Sequence, residues 1–186
     1  MLALRDFAAV RIQTQDSGAE GELAWSRDAT RPETHRMLQP TLEDVRRFFC
    51  EAWLRHLAGA ETSPLERVAI ACILEHPEYQ ELLAQADAAV AAQFPVELGR
   101  ENPFLHLSMH LTLEDQVSVD SPRGIRALLE ALQVRYGDRH AAFHQAMECL
   151  GEMLWQAQRG SLSSDIRATE AAYLECLQRR LGRRNS

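Results

Sequence analysis

The sequence has no lysine; all twenty of its basic residues are arginine. That excludes a lysine nucleophile or Schiff base, and a bias so uniform reflects genome composition more than chemistry. Cysteine is sparse. Cys50, Cys72, Cys149 and Cys176 form no C-x-x-C pair, so zinc-ribbon and thioredoxin-type motifs are excluded. Each lies among Leu, Phe, Ala or Ile, and the expectation is four reduced, buried thiols in a cytoplasmic protein. No apolar run approaches the roughly 20 residues that span a bilayer. The start, Met1-Leu2-Ala3-Leu4, meets Arg5 and Asp6 at once, so no secretory signal is expected. No glycine-rich phosphate loop occurs, and Ser108, Ser118 and Ser121 lack a nucleophile-elbow context. With a net charge of -7 the chain has no electrostatic footprint for nucleic acid. Its one basic cluster, Arg179, Arg180, Arg183 and Arg184, reads as a helix end complementing its own dipole.

What is present is helical. With 186 residues, 46% of them hydrophobic, the chain can bury the core of a single domain. Residues 1–39 show charges, Gly and Pro without a sustained period and read as a disordered extension. Residues 40–182 read as one all-α domain, a compact bundle of about six or seven helices, and 183–186 as a tail. Thr41 caps "LEDVRRFFCEAWLRHL", and Ser63-Pro64-Leu65-Glu66 is a capping box with proline at the first helical position. A helix is expected from Pro77 to near Phe94 and another from Pro103 to Val119. Ser121-Pro122 opens the next, Gly137 closes it, and Asp138 caps a helix that runs to Gly160. Ser164 and Asp165 cap the last, which reaches about Leu181. Trp53 and Trp155 read as core anchors.

The segment "NPFLHLSMHL" is apolar almost all round yet holds His106 and His110. On a helix these two, Leu113 and Val117 share one sector, with Ser108, Thr112, Asp115 and Gln116 opposite. A second helix repeats the spacing with His140 and His144. Both read H-x-x-x-H-x-x-x-E, as His106, His110, Glu114 and as His140, His144, Glu148. Seven histidines in 186 positions should give roughly 0.3 such His pairs by chance, so two pairs, each followed by Glu, are not a random pattern. Residues at i and i+4 have Cβ atoms roughly 5–6 Å apart, close enough to ligate one ion.

The two pairs are therefore expected to meet across one helix–helix interface. The six residues are the candidate ligands of a divalent metal, zinc or iron, in a metal-dependent hydrolase or oxidoreductase. Two metal-free readings stand beside this one. The first is a structural polar network in a non-catalytic interaction module, and the second is an acid–base site of mutually tuned His and Glu. His76, before Pro77, reads as a helix-end or capping residue, His56 as a last-turn imidazole suited to the dipole, and His35 carries no role. The partner is an unknown protein or small molecule, with neither nucleic acid nor membrane expected.

From "RRFFCEAW" through "HPEY", "NPFLHLSMHL", "DQVSVDSPRGI" and "MECLGEMLWQAQR" to "YLECLQRR", the chain resembles an uncharacterised bacterial family, domain of unknown function 1841. The resemblance covers residues 37–181 and includes all four histidines of the two motifs. It implies a small cytoplasmic bacterial protein and assigns no catalytic residue. If residues 1–36 are an extension upstream of the working domain, deleting them should leave the melting temperature within a few degrees of the full chain. A larger drop in a thermal melt would show that they pack on the core.

Overall fold

A computed structural model describes residues 40–94, 101–161, 163 and 165–182. The expected extension, residues 1–39, and the tail, 183–186, lie outside the described residues. The described residues form eight helices: α1 (Leu42–Leu57), α2 (Pro64–Leu74), α3 (Pro77–Leu83), α4 (Ala86–Ala91), α5 (Pro103–Val119), α6 (Ile125–Tyr136), α7 (Arg139–Gln158) and α8 (Ile166–Gly182). Among the described residues there is no strand, and no helix is long and apolar enough to cross a membrane.

Local chemistry sets most helix starts. Thr41 Oγ1 accepts from the Asp44 amide at 3.1 Å while Asp44 accepts from the Thr41 amide at 2.8 Å. Ser63 and Glu66 close the same reciprocal box over α2. Asn102 Oδ1 accepts from the Phe104 and Leu105 amides, and Asp138 from that of Ala141. Pro64, Pro77 and Pro103 each sit in the first turn, where no amide hydrogen is needed.

Two expectations fail where tertiary contacts act. The helix expected from Pro77 to near Phe94 is broken at Ala84-Gln85. The second piece, α4, lies against α1, where Arg46 Nη1 donates to the carbonyls of Val90 and Ala92 at 2.6 and 2.8 Å. Nor does α6 begin directly after Ser121-Pro122. Asp120 is left-handed (φ 51°) and its Oδ1 accepts from the Gly124 and Arg126 amides. Gly124, at φ 98°, a backbone conformation that disfavours other residues, then redirects the chain into α6.

The helices bury two apolar clusters. One gathers Phe49, Trp53, Ile70, Ile73, Tyr79 and Leu83 from α1–α3, with Ala89 of α4. The other gathers Ile125, Leu129 and Leu132 of α6 with Phe143, Leu150, Tyr173 and Leu177 of α7 and α8. Helix α5 serves both, through Phe104 and Leu107 in the first and Met109 and Leu113 in the second. It packs against α1, α2, α6 and α7. Its supposed polar side is therefore also covered: Thr112 and Gln116 are buried. Thr112 Oγ1 donates to the Ser108 carbonyl at 2.8 Å, and Gln116 Oε1 accepts from the Tyr173 hydroxyl at 3.1 Å, so neither is left unsatisfied.

Trp53 is a core residue as expected, but Trp155 is 55% exposed, with the Arg159 guanidinium 4.6 Å from its ring centroid. The expectation of four reduced thiols is also corrected. Cys149 and Cys176 are bonded, joining α7 to α8, while Cys50 and Cys72 are free and buried. The pairing brings together residues 27 apart on different helices, which no local spacing encodes. Burial pushes the Cys72 thiol up to about 12, well away from reactive thiolate. Thiol titration of chain unfolded without reductant should find two thiols, those of Cys50 and Cys72, and four only after reduction. Four thiols before reduction would show that the bond is absent in solution.

Candidate metal centre

Five imidazoles meet where the two apolar clusters join. Helix α5 presents His106 and His110 from successive turns of one face, and α7 presents His140 and His144 in the same way. The fifth comes from the junction of α2 and α3. Glu75 ends α2 and Pro77 begins α3, which leaves His76 alone between two helices at φ −126°, ψ 68°. Its side chain forms no capping bond and turns inward, 2% exposed.

The rings pack edge to face and side by side. Centroids lie 4.5 Å apart for His76 and His106, 5.0 Å for His106 and His144, and 5.2 Å for His110 and His140. The two i,i+4 pairs thus face each other across the α5–α7 interface. His76 Nε2 lies 2.9 Å from His110 Nε2 and 3.2 Å from His106 Nε2. One ligand atom from each of His76, His106, His110 and His144 falls within 4.8 Å of the others. Glu75, His110 and His140 form a second such group.

Carboxylates define which nitrogens carry hydrogen. His76 Nδ1 is 2.9 Å from Glu78 Oε1, His106 Nδ1 is 2.5 Å from Glu101 Oε1, and His140 Nδ1 is 3.1 Å from Glu75 Oε2. An ionised carboxylate only accepts, so each Nδ1 donates and each neutral ring turns its Nε2 lone pair away from the carboxylate. For Glu101, burial works to raise the carboxyl, but the Tyr79 hydroxyl, donating at 2.9 Å, and the His106 imidazole outweigh it and hold it below its ordinary range. Glu78 is likewise held low against its burial by the bond from His76.

Two Nε2 lone pairs, those of His76 and His106, therefore face each other at 3.2 Å. His110 can donate across its own 2.9 Å contact and relieve that one alone. His144 Nε2 is buried and has no hydrogen-bond partner at all. Protonation is a poor remedy here. Burial, then the neighbouring imidazoles, pushes His110 down to about 2, and His144 to about 4 for the same reasons. His106 is also lowered, chiefly by burial. One electron-pair acceptor among these atoms would satisfy all of them together. Four nitrogens at about 2.0–2.1 Å from one zinc ion stand roughly 3.3 Å apart in a tetrahedron. The 2.9 and 3.2 Å contacts are near that spacing, and the other separations, all within 4.8 Å, would close by up to about 1.5 Å around an ion.

The family model described as Domain of unknown function (DUF1841) matches residues 41–179. The chain belongs to this family. No curated protein and no solved structure matches it. The DUF1841 description names no activity, so the chemistry of this member must be read from its own residues.

All four histidines of the two motifs in this DUF1841 chain enter the cluster, but the motif glutamates do not. Glu114 pairs with Arg139, Nη2 to Oε2 at 2.8 Å, and Glu148 pairs with Arg180. Each further step of four residues rotates about 40° and rises about 6 Å, so the third motif position has left the face of the first. Sequence reasoning missed His76, together with Glu75, Glu78 and Glu101. The available signal was "LEHPEY", an imidazole flanked by carboxylates and pinned between two helices by Pro77. The capping role given to His76 is corrected: it holds the N-cap position without capping.

A buried acceptor without a partner costs about 1–3 kcal/mol. In protein stripped of metal by a chelator, His144→Leu is expected to hold or raise the melting temperature. In untreated protein the same change should lower it. Equal effects in the two melts would mean that His144 contacts no ion.

Proposed function

We propose that this chain is a metalloprotein in which the histidine cluster holds zinc or iron and supports metal-assisted hydrolysis. One observation carries the reading: the Nε2 atoms of His76 and His106 are 3.2 Å apart while the other nitrogen of each donates to a carboxylate. Carboxylate behind histidine is the support that orients an imidazole toward a metal and raises its basicity. A donor set rich in imidazole suits zinc or iron.

The burial gradient favours catalysis over a closed structural site. His110 and His76 are 1% and 2% exposed, whereas the side chains of His140 and Glu75 are 26% and 46% exposed. Water and a small-molecule substrate can approach from that edge, and an open ligand position is what separates catalytic zinc from structural zinc. A bound divalent ion supplies a nucleophilic hydroxide near neutral pH. The identity of the metal separates the two enzyme classes, zinc favouring hydrolysis and iron favouring oxidoreduction.

The three carboxylate–imidazole bonds favour one rival, a structural polar network in a non-catalytic module. A cytoplasmic site of action is part of our proposal, and the Cys149–Cys176 bond is the observation against it, since cytosolic thiols are kept reduced.

Metal analysis of chain expressed without a histidine tag tests the reading. Stoichiometric metal is expected, and chelation should lower the melting temperature, because an ion that binds only the folded form stabilises it. His76→Ala should cost at least one equivalent, and adding His106→Ala should cost little more, because groups sharing one ion are not additive. Metal-free protein that is indifferent to both chelator and added metal would leave the polar network as the answer.

A further inference from the structure

The cluster holds more donors than one ion can use. Five imidazoles and Glu75 fall into two overlapping groups, His76/His106/His110/His144 and Glu75/His110/His140, with His110 common to both. A neutral imidazole has one unprotonated nitrogen and so serves one ion at a time. His140 stands outside the first group, yet its ring lies parallel to that of His110, at an interplanar angle of 9°. Its centroid is also 4.2 Å from that of His144. A tetrahedral ion ligated by the first four residues would leave His140 and Glu75 unused at its edge.

Assigning His110 to the second group removes the conflict. Each set then has three protein ligands, His76/His106/His144 and Glu75/His110/His140. Three ligands with an open position is the usual number for catalytic zinc. The sets share a boundary along His110, His140 and His144, whose centroids are all within 5.2 Å of one another. That compactness suits the roughly 3.5–4 Å separation of two-metal hydrolytic sites.

We propose that the centre is dinuclear, with one divalent ion held by His76, His106 and His144 and a second, at the open edge, by Glu75, His110 and His140, where it takes the place of the hydrogen between His140 Nδ1 and Glu75. This rests on the metalloprotein reading and goes beyond it in the number of ions and in the assignment of Glu75 and His140. Neither residue is needed for a single buried ion.

The test is zinc stoichiometry. Untagged chain is stripped with chelator, reloaded with excess zinc and freed of unbound metal by gel filtration. Two zinc ions per chain are expected in the wild type. Glu75→Gln and His140→Ala should each bring this to one while the zinc-induced rise in melting temperature persists. Both positions are partly exposed, and circular dichroism verifies the fold; Glu75→Gln keeps shape and volume if His140→Ala proves unstable. One zinc per chain in the wild type would overturn the second ion and leave the metalloprotein reading standing. Two zinc ions retained by both variants would also overturn it, because the second ion would then lie elsewhere. No zinc in the wild type would overturn both proposals.

Discussion

Two nitrogen lone pairs set 3.2 Å apart, on His76 and His106, are the constraint on which the middle of this molecule depends. Both rings are buried, and an unsatisfied buried acceptor costs about 1–3 kcal/mol. The rings cannot escape by changing tautomer, because Glu78 and Glu101 occupy the opposite nitrogens. Protonation of His106 is disfavoured too, since burial holds it, like its neighbours His110 and His144, below its ordinary range. A bound cation accepting these electron pairs would satisfy them, with the surrounding carboxylates as supports.

The rest of the architecture holds that arrangement in place. Helix α5 is anchored at its start by Asn102 and buried by two cores at once, so His106 and His110 cannot swing to solvent without breaking apolar packing on either side. Its few buried polar groups are closed internally, as with Thr112 on the Ser108 carbonyl and Gln116 on the Tyr173 hydroxyl. Helix α7 is tied to α5 by the Arg139–Glu114 pair, with the Arg139 guanidinium also 4.2 Å from the Phe143 ring centroid, one turn from His140 and beside His144. The same pair that removes Glu114 from the candidate ligands thus helps to position two of the histidines that remain.

The cluster is graded from dry to wet. His110 and His76 form its closed floor, and Glu75 and His140 its open rim. Burial keeps the His110 imidazole at the floor unprotonated, while the rim residues keep part of their side chains at the surface. Membership of DUF1841 identifies relatives of the chain without naming a reaction, so this gradient and the donor set bear the functional argument between them.

Local chemistry made much of this legible. Thr41, Ser63 and Asp138 each mark a helix start through a hydrogen bond to the residue three positions on, and the structure keeps all three. The paired histidines were legible for the same reason, because i and i+4 share a face whatever the helix packs against. Distant contacts were not. Glu114 and Glu148 follow the same period, yet they turn to Arg139 and Arg180, since rotation takes them off the histidine face and a guanidinium was within reach. Cys149 found Cys176 on another helix, and Gln85 became a break once α4 lay against α1. By itself the sequence determined an all-α chain, an apolar α5 and two imidazole pairs each confined to one face. Only the tertiary structure decided that His76, 34 residues from His110, completes the cluster and that Glu75, Glu78 and Glu101 are its carboxylates. Those contacts depend on how α2, α5 and α7 cross in space, and no period within a single helix encodes a crossing.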